Sequence, residues 1–419
     1  MKVMVIGSGG REHTILWKLS QSSRITELYC APGNGGISEI ARLVDIKVTD
    51  IEGIVRFSKE KALDLVVVAP EGPLADGMVD ALEAAGIRAF GPVSQAAMIE
   101  SSKAFSKALM AKYGIPTADY SVFSDSEEAL DYVRSASLPL VLKADGLAAG
   151  KGVLICETRE AALDGVRELM EDKKFGSSGS RIVIEEFMTG PEVSVLAFTD
   201  GKTLLPMVSA QDHKRAFDND QGLNTGGMGT FSPSRVYTDA LAQVCMETIY
   251  LPTLEALNRE GRTFKGIIYF GLMLTPKGPK VVEYNARFGD PETQVVLTRL
   301  KTDLLDVFEA VVDERLHTIS LEWRKEPAVC VIMASGGYPE EYDTGFEITG
   351  LNEAAQDKEV VVFHAGTSLK EGKMLTAGGR VLGVTAVAPD FEKAREKAYA
   401  AVKKIHFSGA HYRTDIGIK

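Results

Sequence analysis

An acid and an amide placed two residues apart are the clearest candidates for chemistry in this sequence. Glu283 and Asn285 belong to a run of strand-forming residues, Val281–Asn285, which follows the turn Lys277–Pro279. Because alternate residues of a strand point to the same face, the two side chains present their oxygens together, and such hard donors suit Mg²⁺. An edge strand that turns polar residues to water has the same pattern, so these two residues alone leave both interpretations open.

A predicted helix start follows this strand and favours the binding of an anion. The chain breaks at Gly289, after which Asp290 is expected to be the N-cap and Pro291 the first helical residue. A helix N-terminus carries free backbone N–H groups and a partial positive charge, and Arg287 lies just before it. A metal-binding pattern and a phosphate-binding pattern therefore adjoin one another between residues 283 and 292.

A second phosphate-binding pattern lies near residue 150. Two predicted strands, at residues 139–143 and 153–156, are joined by a loop of small residues, with Lys143 and Lys151 on either side of it. Ammonium groups in these positions would neutralise phosphate oxygens. The loop is not a P-loop, because Gly152 stands where Ser or Thr is required and a strand follows in place of a helix. A flexible surface hairpin with incidental lysines is the alternative, and the density of glycine and lysine together favours phosphate.

Glycine is concentrated again between residues 222 and 229, where four glycines accompany Asn224 and Thr225. Few structural needs demand this composition, whereas backbone donors held against an anion explain it. The charged run Gln211–Arg215, which includes Lys214, lies shortly before the loop. We therefore predict a third part of an anion-binding site here.

The N-terminal residues predict the first unit of a doubly wound parallel sheet. Lys2–Ile6 is a short apolar run, followed by a glycine turn and a helical pattern through Leu19. Further βα units carry loops at residues 32–36 and 70–73, which would lie at the same sheet edge, where open α/β sheets bind ligands. An NAD-binding oxidoreductase is an alternative, but the third glycine of the dinucleotide fingerprint would fall at Glu12.

Composition and charge exclude several other classes. The net charge is −11, so neither a nucleic acid nor an anionic membrane is expected as a partner. Four scattered cysteines form no CxxC pair, which favours buried free thiols in a reducing cytosol over disulfides or a zinc site. The sequence predicts no signal peptide and no segment long enough to span a bilayer. The expected location is the cytoplasm.

The expected fold is a multidomain α/β and α+β protein with three main units. Residues 1–100 form the doubly wound domain, residues 101–322 a second unit, and residues 323–419 a small α+β domain of short strands and turns. The tail residues Arg413, Asp415 and Gly417 are expected to anchor the end of the chain rather than to reach the site. His13 and His213 are expected to be structural or hydrogen-bonding residues rather than general bases.

Taken together, the motifs resemble the phosphoribosylamine–glycine ligases, also called glycinamide ribonucleotide synthetases, of the ATP-grasp superfamily. The resemblance follows family order and covers essentially the whole chain; its carriers are Val5–His13, Ala31–Gly36, Pro70–Leu74, Lys143–Gly152, Gln211–Arg215, Asn224–Gly229 and Asn285–Gln294. The lysine-glycine hairpin and the metal strand are shared by ATP-grasp enzymes at large, whereas the last three motifs together are more particular to this family. Ser8, Gly35 and Gly72 are minor departures from the usual residues.

The resemblance implies an N-terminal domain, an ATP-grasp core with a lid inserted at about residues 118–190, and a C-terminal domain. It implies that ATP, glycine and 5-phosphoribosylamine give ADP, phosphate and glycinamide ribonucleotide through glycyl phosphate, in purine synthesis, with Mg²⁺ or Mn²⁺. A monofunctional enzyme, monomeric or weakly dimeric, with small-molecule substrates only, is expected. The alternatives are another ATP-grasp carboxylate–amine ligase or carboxylase of purine synthesis, and a non-catalytic nucleotide-binding regulator.

The resemblance also assigns roles to residues. The metal would be held by Glu283 and Asn285, and ATP by Lys103, Lys143, Lys151, Gly152, Glu185, Glu186, Phe187 and Glu192. The catalytic group would consist of Arg287, Asp212, Lys214 and Asn224. The substrates would be bound by Gly9, Gly10, Asn34, Gly35, Glu71, Thr225, Gly226, Gly227, Asp290, Pro291 and Glu292.

Overall fold

The N-terminal unit is built on a parallel five-stranded sheet in the computed structural model, which describes residues 1–148, 152–172 and 179–418. Its strands are β1 (Lys2–Gly7), β2 (Glu27–Pro32), β3 (Arg42–Leu43), β4 (Leu65–Val68) and β5 (Ala89–Phe90), and its helices are α1 (Gly10–Leu19), α2 (Ile51–Lys61), α3 (Glu71–Ala75), α4 (Met78–Ala84) and α5 (Ser94–Ser101). The order β3-β2-β1-β4-β5 reverses direction at β1. The loops after β1 and β4 therefore meet at the switch point of the sheet, where such folds bind ligands.

A smaller antiparallel sheet, in the order β6-β9-β7-β8, follows helix α6 (Lys103–Tyr113). Its elements are β6 (Tyr120–Phe123), α7 (Ser126–Ser135), β7 (Leu140–Ala144), β8 (Val153–Cys156), α8 (Arg159–Met170) and β9 (Ile182–Glu186). Asp125 and Thr158 cap the two helices through their side chains. The predicted hairpin is confirmed, since β7 and β8 pair from Leu140 with Cys156 to Lys143 with Val153.

The central sheet is antiparallel and has the order β11-β10-β16-β17. The strands of this part of the chain are β10 (Glu192–Thr199), β11 (Leu204–Pro206), β12 (Gln211–Asp212), β13 (Arg215–Phe217), β14 (Gln221–Asn224), β15 (Gly229–Ser232), β16 (Gly266–Thr275) and β17 (Gly278–Asn285). The helices are α9 (Asp239–Cys245), α10 (Leu251–Arg259), α11 (Glu292–Arg299) and α12 (Leu304–Val312). A π-helical turn, Met246–Tyr250, joins α9 to α10 just before Pro252, which has no N–H for the helix ladder.

The expectation that Asp290 caps the helix after β17 is wrong. Helix α11 begins at Glu292, and Pro291 is the residue before it. The Asp290 carboxylate is used elsewhere: it accepts the backbone N–H of Arg11 at 3.2 Å and an amide N–H of Gln294 at 2.9 Å. This side chain therefore ties the start of α1 to the start of α11.

The C-terminal unit shares its sheet with the preceding part of the chain. Its own elements are β18 (Ala328–Ala334), α13 (Leu351–Ala354), β19 (Val360–His364), β20 (Thr367–Lys370), β21 (Lys373–Thr376), β22 (Arg380–Val387) and α14 (Phe391–Val402). The sheet order is β12-β15-β18-β22-β19, so two strands from residues 211–232 extend it. The glycine-rich segment between β12 and β15 is therefore held between two units.

The tail is anchored as expected. The Arg413 side chain is fully buried and bonds both carboxylate oxygens of Asp415, at 2.7 and 2.6 Å, and Asp220 at 3.0 Å. All four cysteines are buried free thiols, as predicted. Within residues 1–148, 152–172 and 179–418, no helix is both long and apolar enough to cross a bilayer.

Candidate active site

A cleft of about 900 Å³ lies where the four larger sheets approach one another. Most of the predicted site residues line it: Glu71, Lys103, Lys143, Gly152, Glu185, Glu186, Phe187, Glu192, Asp212, Lys214, Asn224, Thr225, Gly226, Glu283, Asn285, Arg287, Asp290 and Glu292. Lys151 lies outside the described residues. Motifs that are far apart in the sequence are thus brought to a single cavity, of a size that suits a nucleotide and a small substrate.

Glu283 and Asn285 lie on one face of β17, as the alternation predicted, and both face the cleft. They pair with Gly271 and Tyr269 of β16, respectively. The amide oxygen of Asn285 accepts a hydrogen bond from Arg287 Nη2 at 3.1 Å. An amide oxygen has two lone pairs, so this contact leaves one for a further partner.

The charge on Glu283 fits a cation site. Burial raises the pKa of this carboxyl, but the ammonium groups of Lys214, Lys143 and Lys103 outweigh burial and lower the pKa overall. The group is therefore an ionised oxygen donor beside the oxygen of Asn285, as Mg²⁺ or Mn²⁺ prefers. Among the described residues, no cluster of three or more His, Cys, Asp or Glu side chains could hold a metal alone. Oxygens of water or of a bound ligand would complete the coordination.

Two lysines share one buried carboxylate oxygen beside this strand. Lys143 Nζ lies 3.0 Å and Lys107 Nζ 3.2 Å from Glu185 Oε2. Lys143 also donates to the carbonyl oxygen of Val282 at 3.2 Å, next to Glu283. Burial lowers the pKa of Lys107 to about 8, despite the opposing effect of Glu185. Glu185 Oε2 thus orients two lysines, while Glu185 Oε1 is buried and has no hydrogen-bond partner among the described residues. The ATP-binding role of Glu185 stays a prediction.

The segment after Glu185 forms an apolar end of the cleft. The Glu186 carboxylate accepts hydrogen bonds from Lys280 Nζ at 2.7 Å and from the N–H of Asp119 at 3.2 Å, while the Phe187 side chain is partly exposed. The apolar side chains that line the wall here are Val141, Ile155, Met188 and Met273. Flat apolar walls beside a backbone segment suit an aromatic base, which is the role predicted for residues 185–187.

Arg287 is the centre of a buried ion-pair network. Its Nη2 lies 3.0 Å from Glu100 Oε1 and its Nε lies 3.4 Å from Glu71 Oε2, while Arg11 Nη1 lies 3.7 Å from Glu71. Burial raises the pKa of Glu71, but Arg287 and Arg11 dominate and bring it to about 2. Burial also raises the pKa of Glu100, and this effect outweighs the lowering of the pKa by Arg287. Arg287 is therefore fixed in position at the floor of the cleft.

Lys214 and Asp212 form another part of the cleft lining. Lys214 Nζ lies 2.8 Å from Glu192 Oε2, and this carboxylate is the largest cause of a strongly raised Lys214 pKa. Burial, followed by the charge of Glu292, raises the pKa of Asp212 well above its usual value. Asp212 Oδ1 is buried and has no hydrogen-bond partner among the described residues. Glu292 itself accepts the hydroxyl of Tyr269 at 2.9 Å.

The glycine loop is held from the C-terminal unit by Arg380. Its Nη1 donates to the carbonyl oxygens of Gly226 at 2.5 Å and Asp290 at 2.7 Å, with a longer contact to Gly227 at 3.4 Å. The hydroxyl of Tyr338 accepts the N–H of Gly226 at 3.0 Å. A single guanidinium therefore joins the glycine loop to the turn after β17.

Other predicted positions lie away from the cleft surface. Gly9, the residue before α1, donates its N–H to the Glu12 carboxylate at 2.6 Å, so this donor already has a partner within the protein. A Cβ on Gly10 would lie 2.7 Å from Gln294 Nε2, so this glycine permits close contact with α11. Gly227, at φ +111°, packs with Pro291, since a Cβ there would lie 2.6 Å from the proline ring. Their substrate roles stay predictions.

Asn34 and Gly35 contact the C-terminal unit. The Asn34 amide donates to the carbonyl oxygens of Ser8 at 2.8 Å and His364 at 2.9 Å. Gly35 donates its N–H to Thr367 at 3.1 Å, and a Cβ on it would lie 2.4 Å from Met374 Sδ. This close packing is a structural reason for glycine in this loop. The predicted role of the loop in substrate binding stays a prediction.

Charged residues that line the cleft but were missed by sequence reasoning include Arg11, Glu100, Lys107 and Arg380. Arg11 lies within the motif Val5–His13, and its position in that motif was a signal that could have identified it as a site residue. Glu100 and Lys107 lie in helical segments with ordinary charge spacing, and Arg380 follows a turn. Nothing local distinguishes these three from solvated surface charges.

The cleft thus combines Lys143 on a small antiparallel sheet with Lys103 and Lys107 on α6, an acid and an amide on a central strand, and an apolar wall beside them. These features, on two antiparallel sheets that flank one cavity, define an ATP-grasp protein. The family models for phosphoribosylglycinamide synthetase match in three parts: the N domain over residues 1–100, the ATP-grasp (A) domain over 101–293 and the C domain over 328–419. The chain belongs to the phosphoribosylglycinamide synthetase family.

Individual relatives agree over full length. A phosphoribosylamine–glycine ligase of Caldanaerobacter subterraneus is 48% identical over 416 residues, with 99% of each chain covered. The crystal structure of a phosphoribosylamine–glycine ligase from Thermotoga maritima has a TM-score of 0.83 and 34% identity, and covers 99% of this chain and 100% of that one. The biotin carboxylase domain of a 2-oxoglutarate carboxylase from Hydrogenobacter thermophilus, solved with MgADP, has a TM-score of 0.74 at 17% identity and shows the shared fold alone.

Proposed function

We propose that the protein joins glycine to 5-phosphoribosylamine at the expense of ATP, giving glycinamide ribonucleotide, ADP and phosphate in purine synthesis. The observation that carries the proposal is a single cleft in which the motifs of all parts of the chain meet, in a chain 48% identical over its length to a protein named phosphoribosylamine–glycine ligase. Domain boundaries at 100/101 and 322/323, with a lid at about 118–190, belong to the same proposal.

The chemistry requires activation of a carboxylate. A carboxylate anion repels nucleophiles and has a poor leaving group, so transfer of the γ-phosphoryl group of ATP to glycine yields an acyl phosphate with phosphate as leaving group. The amine of phosphoribosylamine then attacks the carbonyl carbon, and phosphate departs. Phosphoryl transfer depends on positioning and charge neutralisation more than on covalent participation by the protein.

The side chains of the cleft supply these needs. Lys103 and Lys143 bind phosphate oxygens, while the backbone after Glu185 and the apolar wall hold the base. Mg²⁺ or Mn²⁺, when bound by Glu283 and Asn285, would neutralise charge on the phosphates. Arg287, fixed by its two carboxylates, orients the glycine carboxylate.

The acceptor side holds the second substrate. Donors of the glycine loop steady the charge of the acyl phosphate, with Lys214 nearby. Asp212, which lines the cleft, would contact the substrate amine. We assign no covalent nucleophile.

The proposal is tested by measuring ADP release with each substrate omitted in turn. Glycine-dependent and phosphoribosylamine-dependent turnover is expected. ADP release that does not depend on glycine but depends on another carboxylate would favour the second candidate, a different ATP-grasp carboxylate–amine ligase or carboxylase. Positional isotope exchange in ATP provides a further check, since reversible formation of glycyl phosphate scrambles the bridging oxygen.

A monomer or weak dimer in the cytoplasm is also proposed, and size-exclusion chromatography with light scattering tests the oligomeric state.

A further inference from the structure

Lys107 is a buried cation in the site that the proposed chemistry does not use. It lies in the middle of α6 with its side chain 2% exposed. Its Nζ donates to Thr117 Oγ1 at 2.7 Å, and that hydroxyl donates to the carbonyl oxygen of Val281 at 2.7 Å. A buried ammonium is costly unless it is paired, so this placement requires an electrostatic reason.

The pairing of Lys107 is unusual because its partner is already paired. Glu185 Oε2 accepts Lys107 at 3.2 Å and Lys143 at 3.0 Å, so two positive charges surround one negative charge. Glu185 is itself 2% exposed, and solvent screens this group of charges very little. The three side chains together carry one net positive charge next to the cleft.

We infer that Lys107 is a positioning residue which neutralises Glu185, so that the charge of Lys143 stays available to an anionic ligand in the cleft. Without Lys107, the carboxylate would pair with Lys143 alone and cancel its charge. The inference rests on the proposed function for the identity of the anion, which is the phosphate chain of ATP.

The geometry supports action through Lys143 rather than by direct contact. Lys107 is among the residues that line the cleft, but its side chain is buried and its ammonium is held by Thr117 and Glu185. Lys143 reaches the carbonyl oxygen of Val282, one residue before the predicted metal ligand Glu283. The group therefore joins α6, β7, β9 and β17 at the point where the predicted metal and phosphate sites adjoin.

The test measures binding of ATP alone, by titration calorimetry, in the absence of glycine and phosphoribosylamine. Lys107→Met keeps the length of the side chain and removes its charge. We expect ATP to bind about tenfold more weakly or worse, which corresponds to the loss of one charge-assisted contact. Adding Glu185→Gln to this variant frees Lys143 from its remaining partner and should restore much of the affinity.

Lys18→Met is the matched control, because Lys18 is 8% exposed and donates to the carbonyl oxygen of Leu300, remote from the cleft lining. It should leave ATP affinity unchanged. Wild-type affinity in Lys107→Met, or weakening that Glu185→Gln deepens, would overturn the inference. If Lys107→Met does not fold, Thr117→Val provides the test: it removes a hydrogen-bond partner of the ammonium but keeps the charge that neutralises Glu185. ATP affinity should then stay within a few fold of the wild type, and a tenfold loss would count against the inference.

Because ATP binding is measured without the other substrates, the outcome is independent of which amine is ligated. A protein that binds ATP with the expected pattern but turns over no glycine would refute the proposed function and leave the role of Lys107 intact. In the active enzyme, the KM for ATP should rise in Lys107→Met while the KM for glycine stays the same.

Discussion

Replacing Glu283 by Gln separates two opposing effects of one negative charge. The carboxylate lies among Lys214, Lys143 and Lys103, which lower its pKa. As a predicted metal ligand it should assist the metal-bound nucleotide, but as an anion it should repel the phosphates of metal-free ATP. The isosteric amide keeps the shape of the side chain and removes only the charge.

The two effects act in opposite directions on ligand binding. Loss of groups that only support a metal ligand costs about 10–100-fold in metal affinity or activity, so loss of a direct ligand should cost about 100-fold or more in turnover. Repulsion between unit charges about 6 Å apart amounts to roughly 2–3 kcal/mol at an effective dielectric constant near 20. Screening by water and salt reduces this figure. Metal-free ATP should therefore bind the variant as tightly as the wild type, or more tightly.

Two assays decide the matter: steady-state turnover at saturating Mg²⁺, and calorimetric titration of ATP with a chelator present. Glu309→Gln is the control, since this carboxylate is also buried, pairs with Arg24 at 2.6 Å and lies outside the cleft lining. Near wild-type turnover of Glu283→Gln at saturating Mg²⁺ would refute the metal assignment. Weaker binding of metal-free ATP would refute the electrostatic account of the site.

Two further predictions concern the C-terminal unit. Arg380→Met should raise the KM for glycine or phosphoribosylamine at least tenfold while the KM for ATP changes little, because the guanidinium holds the glycine loop and the turn at Asp290; a change confined to ATP would contradict this. Burial, with a contribution from His364, lowers the pKa of His13 to about 3, and burial lowers that of His364 to about 4. Both pKa values in the folded protein lie below the unfolded value near 6.5. The contribution of the two histidines to the free energy of unfolding is therefore complete above pH 6.5 and is lost as the pH falls. The loss is roughly 2 kcal/mol for one histidine at pH 5. The thermal midpoint should therefore fall less between pH 7 and 5 in His13→Gln than in the wild type, and equal losses would refute the account.

The elements that the sequence predicted correctly are those with local signals. Val3–Ile6 and Leu65–Val68 are unbroken apolar runs, and they form the buried centre of the parallel sheet. The alternation around Glu283 placed two oxygen donors on one face, and β17 has this arrangement. These features depend on neighbours in the sequence, so periodicity and turn chemistry were sufficient.

The features that could not be predicted depend on partners far apart in the chain. Arg380 bonds a carbonyl 154 residues away, and the amide of Asn34 bonds one 330 residues away. Lys107 has the spacing of an ordinary helical surface charge, and only the fold turns it toward Glu185. Likewise, the loop containing Gly35 fits a substrate loop by composition, whereas its fit against Met374 appears only in three dimensions.

The central claim is that this cleft ligates glycine to phosphoribosylamine with ATP. The most direct measurement is phosphate release from ATP in the presence of glycine and freshly prepared phosphoribosylamine, with product identified by mass spectrometry. Turnover that requires all three substrates and yields glycinamide ribonucleotide is the predicted result. Turnover that persists without glycine, or that gives no such product from all three, would contradict the claim.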